Sequence, residues 1–320
     1  MSLLTSTVST LGHALPSTRA NRLLILIYHR VRPEPSSMSK VALHREMFDW
    51  QMRLVARHCR PISMLDGLRR LREGTLSSRS VAVTFDDGYA DNAEVALPIL
   101  LRYGVPATFF VATGFLDGGR MWNDSIVEAI RNVRGTHVDL RMIGLGQEPL
   151  SPVHMRGPLT RKIILAVKHL PPAERLAKVE ELCNVIGAHL PDNLMMTSDQ
   201  VRSLAEAGME VGAHTVHHPI LKSLPDDEAR REIADSRSAL EEITGSTVRS
   251  FAYPNGRPGD DYSDRDRNIV ASLDFEYAVS TRQGVANVRS DLFQLPRFTP
   301  WDTAPTRWLS RLLTAFGQPA

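Results

Sequence analysis

Apolar and β-branched runs recur along the chain, and most are followed by a stretch with helical spacing. Arg22 to Tyr28 reads as a first strand, and Arg45 to His58 carries Phe48, Met52 and Val55 at helical intervals. Pro61 to Ser63 reads as a short strand, and Leu65 to Leu71 as a helix stopped at Gly74. Val81 to Phe85 is the next strand, Ala90 to Tyr103 a helix closing at Gly104, Ala107 to Val111 a strand, and Trp122 to Val133 a helix. This alternation predicts parallel α/β architecture. From Arg134 to Met196 it loosens. Two helix candidates, 161–169 and 173–186, are split by Pro171 and Pro172, and the segment reads as an insertion covering one face, too poor in apolar residues for a core of its own.

Order returns with a helix from a Ser198 cap to Ala207, a strand at Met209 to Ala213 and a charged amphipathic helix from Asp226 to Ile243. Strands follow at Val248 to Tyr253, Tyr277 to Ser280 and Phe293 to Phe298, with a helix at Asp264 to Leu273. The stripe of Trp308, Leu309, Leu312, Leu313 and Phe316 in the last helix is expected to pack on the body, with membrane docking the lesser alternative. About seven βα-like units predict a barrel or a distorted barrel, and an open doubly wound sheet is the rival. The expected division is a loosely ordered arm over 1–20 and one domain over 21–320, with the insertion at about 134–196.

Composition narrows this little. The chain has 320 residues, 42% hydrophobic, 23% charged, and a formal net charge of +2, so no global basic field points to nucleic acid. Two cysteines, Cys59 and Cys183, offer neither a disulfide framework nor a thiolate metal cluster. No apolar run is long enough to span a bilayer. The first 21 residues make a poor secretory signal, so the expected location is cytoplasmic, with peripheral association at the inner membrane face.

The candidate chemistry starts at Asp86 and Asp87, adjacent carboxylates directly after a buried strand. In parallel α/β folds the strand ends carry the site, and paired buried acids need a positive partner. The bland alternative is a turn or helix cap, which accounts for one carboxylate rather than two. His214 and His218 follow another predicted strand, four residues apart, so one helical turn would aim both imidazoles the same way, with His217 as a competitor. Two imidazoles and a carboxylate make a three-ligand catalytic zinc site with a position left for water.

Thr84-Phe-Asp-Asp-Gly88 and His214-Thr-Val-His-His218 together resemble the two leading motifs of the polysaccharide deacetylases, the NodB-homology domain of carbohydrate esterase family 4. The resemblance implies a distorted (β/α) barrel, here with a helical insertion, and metal-dependent removal of N-acetyl groups from an N-acetylated polysaccharide or lipid-linked glycan. It implies Asp86 as catalytic base and Asp87, His214 and His218 as ligands of a divalent ion, zinc first, with cobalt, nickel or iron as alternatives. A third motif is only partly kept in Ser250-Phe-Ala-Tyr-Pro-Asn-Gly256. Ala252 stands where the family has the arginine that orients the aspartate, leaving Tyr253 and the backbone N–H of Asn255 as substrate or oxyanion contacts. The family's late histidine is missing. Tyr28-His29 at the first strand end resembles the exopolysaccharide-deacetylase branch, where that histidine stands in as general acid. Arg297 is the candidate replacement for the lost arginine, and Trp301 a candidate lining of the sugar groove. The rival functions are an amidase for a small, cyclic or peptidoglycan amide, and a carbohydrate-binding protein with a decayed site.

Overall fold

The computed structural model describes residues 21–38 and 42–317, so the predicted arm over 1–20 lies outside the described residues. Four strands and the helices between them build one wall of the fold. They are β1 (Leu23–Tyr28), α1 (Arg45–His58), the short β2 (Arg60–Pro61), α2 (Met64–Arg72), β3 (Ser80–Phe85), α3 (Leu97–Tyr103), β4 (Ala107–Val111) and α4 (Trp122–Asn132). A hairpin, β5 (His137–Asp139) and β6 (Gln147–Pro149), precedes α5 (Arg156–Val167) and α6 (Pro172–Ile186). The other wall follows with α7 (Ser198–Glu206), β7 (Glu210–Ala213), α8 (Asp226–Thr244), β8 (Ser250–Ala252), α9 (Asp264–Ala271), β9 (Tyr277–Gln283), β10 (Leu295–Arg297) and α10 (Pro305–Ala315).

Eight strands form one sheet in the order β1-β3-β4-β7-β8-β9-β10, with β2 also on β3, and every pairing in it is parallel. A parallel bridge between Leu26 and Phe298 brings the last segment back to the first strand, with Phe298 N–H donating to the Ile25 carbonyl at 2.7 Å. The sheet is therefore a nearly closed barrel, and the open-sheet alternative is set aside. All residues of β1 and β3 are buried, as expected for strands covered on both faces.

Strand periodicity sorts these buried residues into two cores. Leu23, Ile25, Ala82, Phe110, Ala252, Tyr277, Val279 and Leu295 fill the barrel interior and its lower rim. Their neighbours Leu24, Leu26, Val81, Val83, Phe85, Phe109 and Val111 face the helices. Gly212 belongs to the inner set: a Cβ there would sit 2.5 Å from the Phe110 ring, so only glycine lets β7 approach. At the lower end, the Glu210 carboxylate accepts hydrogen bonds from Thr108, Ser250 and Tyr277, and burial raises its pKa.

Several details depart from the sequence expectations. The helix expected from Ala90 begins as a π-helical turn over Asn92–Ala96 before α3. The cap of α7 is Thr197, not Ser198, in a reciprocal capping box with Gln200. The insertion carries an apolar cluster of its own, in which Val138, Leu140, Leu159, Ile163, Val179 and Leu182 pack with Ile126 and Ile130 of α4. Its apolar positions are divided among a hairpin and two helices, so no single run shows them as a core. The terminal stripe packs inward, with Trp308, Leu309, Leu312, Leu313 and Phe316 all buried. Among the described residues no helix is long and apolar enough to cross a membrane.

Candidate active site

All parallel strands deliver their C-terminal ends to one rim of the barrel. β3 carries Thr84 on its inner face, so the same alternation turns Asp86 inward and Phe85 outward, where Phe85 stacks on Phe109 at 4.8 Å. Asp87 then adopts a left-handed backbone (φ 80°), which breaks the alternation and brings a second carboxylate to the same rim. Gly88 is also left-handed, and a Cβ there would meet Val111 at 2.9 Å.

Asp86 is 2% exposed and Arg297 is 0% exposed, and they form a two-pronged ion pair with both N···O distances 2.7 Å. Arg297 follows Leu295 on the inner face of β10. Its Nε donates to the Ser280 carbonyl at 2.8 Å, and its Nη1 reaches Thr84 Oγ1 at 3.2 Å. Burial would raise the Asp86 carboxyl, but the Arg297 charge and hydrogen bonds outweigh it and hold the pKa below the usual carboxylate value. The structure thus places an arginine on Asp86 although position 252 has none.

Asp87 Oδ1 lies 3.4 Å from Nε2 of both His214 and His218. The three donor atoms lie within 4.8 Å of one another. Tetrahedral coordination with bonds of about 2.1 Å sets donor atoms about 3.4 Å apart, the separation of Asp87 from each imidazole, and the carboxylate–imidazole–imidazole donor set suits a zinc-like ion. His214 Nδ1 is 2.7 Å from the Ala252 carbonyl, which can only accept, so Nδ1 carries a proton and Nε2 is the atom turned to Asp87. The backbone of residue 252 thereby contributes where its side chain does not. Burial alone would raise the Asp87 carboxyl, but the hydrogen bond with His214 and the charge of His29 bring it well below the usual range. Burial pushes His218 down to about 4, which leaves its imidazole neutral near pH 7.

The expected helical turn between the two histidines is absent. Residues 214–218 form a loop in which Thr215 (φ 64°) and His218 (φ 53°) are both left-handed, and His218 N–H donates to Thr215 Oγ1 at 3.0 Å. Glu232 of α8 anchors this loop by accepting the backbone N–H of Val216 and of His217 and pairing with His217 Nδ1 at 2.8 Å. His217 is thus drawn outward, 67% exposed, and His218 is the one that joins Asp87. Nothing in the sequence around Glu232 marks it among the many acids of that helix.

His29 stands exposed at the end of β1, close enough that its charge lowers the pKa of Asp86 and Asp87. Asn255 is left-handed (φ 58°) and lines a cleft of about 180 Å³ with His218, Ile220, Trp122 and Asn123 and with Ile164, Lys168 and Arg175 of the insertion. Trp301 is 58% exposed on the loop after β10. Tyr253 departs from its expected place at the substrate. It is buried, stacks on Tyr262 at 3.8 Å, and donates its hydroxyl to the Phe293 carbonyl. The interior demand for an aromatic there explains the residue without a ligand. Beside the rim, Tyr89 donates to Asp124 at 3.0 Å beneath the Arg30 guanidinium, and burial pushes the Asp124 carboxyl up to about 6.

Comparison with known proteins places this geometry. The polysaccharide deacetylase family model matches residues 73–137 and 176–278. The Bacillus subtilis (strain 168) protein YxkH, whose name assigns it provisionally to polysaccharide deacetylases, is 20% identical over 280 residues, covering 86% of this chain and 70% of that protein. Among solved structures, the Streptococcus pyogenes deacetylase PplD in complex with acetate superposes with a TM-score of 0.62 at 21% identity, covering 94% of this chain and 100% of that one. IcaB from Ammonifex degensii gives 0.59 at 20% identity, covering 91% and 97%. At these identities the structural matches establish the shared fold.

Proposed function

The chain belongs to the polysaccharide deacetylase family, and on that premise we propose that it hydrolyses the N-acetyl group of an N-acetylhexosamine glycan, releasing acetate and a free amino sugar. The observation that carries the reading is the convergence of Asp87, His214 and His218 beside an arginine-clamped Asp86. A divalent ion held by those three residues, most simply zinc, would supply Lewis acidity and lower the pKa of water. The residues then have separable work. Asp86 takes the proton of the attacking water: Arg297 occupies one acceptor direction on each oxygen and leaves others open. The water oxygen bonds to the acetyl carbon, and the backbone N–H of Asn255 steadies the oxygen charge that develops. The C–N bond breaks as exposed His29 hands a proton to the departing sugar nitrogen. PplD holding acetate, the product expected here, supports the same reading.

Replacing Asp87 or His214 with alanine should abolish both bound metal and acetate release from N-acetylglucosamine oligomers; retention of both overturns the assignment. His29→Ala should keep the metal and lose turnover by about 100-fold or more. Because the insertion walls the cleft beside His218, a bounded substrate, such as a chain end or a small amide, is the second reading. Acetate release that falls as oligomers lengthen would favour it.

A further inference from the structure

The cleft beside His218 does not end at the insertion. It shares Lys168, Arg175 and Ile220 with a larger groove of about 950 Å³. Five lysine and arginine side chains line that groove: Arg161, Lys168 and Arg175 from the insertion, Lys222 and Arg257 from the loops opposite. Only Asp260 and Asp261 oppose them, and the Asp261 carboxylate already accepts the backbone N–H of Arg257 at 3.0 Å. Among the described residues none of the five cations has a carboxylate partner.

Arg175 is the most telling of them. Its guanidinium lies 4.8 Å over the Trp122 ring, and Nη1 donates to the Lys168 carbonyl at 3.2 Å. Its Nε is buried with no hydrogen-bond partner. Partial burial of an unneutralised cation is unfavourable, and an orphaned buried donor calls for an explanation. Pro171, the residue that precedes α6, lines the same groove, so the positive end of a fifteen-residue helix adds to the field. A single carboxylate offers one charge and two oxygens. Five cations and a helix end around one cavity match a tetrahedral, multiply charged group better.

We propose that this groove binds a phosphoryl anion carried by the glycan, so that the substrate is an N-acetylhexosamine bearing a phosphate, diphosphate or phosphodiester beside the acetamido sugar. The proposal rests on the deacetylase reading for the reaction but not for the binding. Two sources share the chemistry: a lipid-linked sugar diphosphate, and a polymer with phosphodiesters in its backbone.

The metal-loaded protein should be given N-acetylglucosamine linked through diphosphate to a short isoprenoid alcohol, a phosphodiester-bridged N-acetylglucosamine oligomer, and a neutral oligomer. Acetate release should favour one of the two anionic substrates through KM, by about tenfold at low salt, with the preference shrinking as salt rises. Whichever substrate is preferred identifies the source. The Lys168→Gln/Arg175→Gln variant should lose the preference; a neutral substrate used as well as both anionic ones, or a preference that survives the double substitution, overturns the proposal. Calorimetry with inorganic pyrophosphate gives a readout apart from turnover: affinity should fall about tenfold in the double variant, and equal affinity overturns the proposal. If no substrate releases acetate yet pyrophosphate binding falls as stated, the reaction reading fails and the groove stands. Should the double variant not fold, Arg161→Gln/Arg257→Gln, at exposed positions, applies the same criteria.

Discussion

Arg297→Met would leave the Asp86 carboxylate charged, buried and unpaired. The two 2.7 Å bonds and the Nε bond to Ser280 would go together, and among the described residues no other cation is hydrogen-bonded to Asp86. Breaking a buried pair from one side costs about 3–5 kcal/mol, a large share of the roughly 5–15 kcal/mol that holds an ordinary domain. Asp86→Asn strands the arginine instead and should cost a similar amount. Carrying both substitutions removes both charges, so the double variant should be more stable than the sum of the two losses by about 2 kcal/mol or more. Arg297→Lys keeps the charge but not the planar fork, and should fall between wild type and Arg297→Met in both stability and acetate release. Urea denaturation of the four variants measures all of this. A loss below about 1 kcal/mol for Arg297→Met, or additivity within about 0.5 kcal/mol, would refute the reasoning.

Glu232→Ala frees the Val216 and His217 N–H groups and the His217 ring, so metal affinity should fall about 10–100-fold while excess metal restores activity; chelator competition reads the affinity, and an unchanged value refutes the role. Burial holds the Asp124 carboxyl at about 6 in the folded chain, above its ordinary value of 3.8. The folded state therefore binds the proton more tightly, and the stability it confers is lost as pH rises from about 4 through 6. Asp124→Asn should then be more stable than wild type by about 2–3 kcal/mol at pH 7.5 and nearly equal to it at pH 4; the same difference at both pH values counts against this.

The barrel was legible because its strands are short apolar runs punctuated by glycine and proline, and the run into Asp86 and Asp87 announces a buried strand with charged ends. The inward turn of Arg297 was visible only as a candidate, since a strand of three residues carries too little alternation to assign a face. The loop holding His214 and His218 was misread as a helical turn because a four-residue spacing cannot reveal left-handed backbone at Thr215 and His218. Glu232 was missed for another reason: it acts on a segment distant in sequence, and it has no local pattern. Tyr253 shows the converse, a residue picked out by its motif position and claimed by the barrel's own packing.

The bridge from Phe298 to β1 has a consequence in time. Asp86 and Arg297 are 211 positions apart, so at about 5–20 residues per second the ribosome delivers the carboxylate on the order of 10–40 s before its arginine. Throughout that interval the nascent β3 holds a strand end that cannot be buried as an anion. The last strand to arrive both closes the barrel and neutralises that charge. The proposed base is therefore set in place only once the final strand is, and an incomplete chain would present a rim without a working proton acceptor.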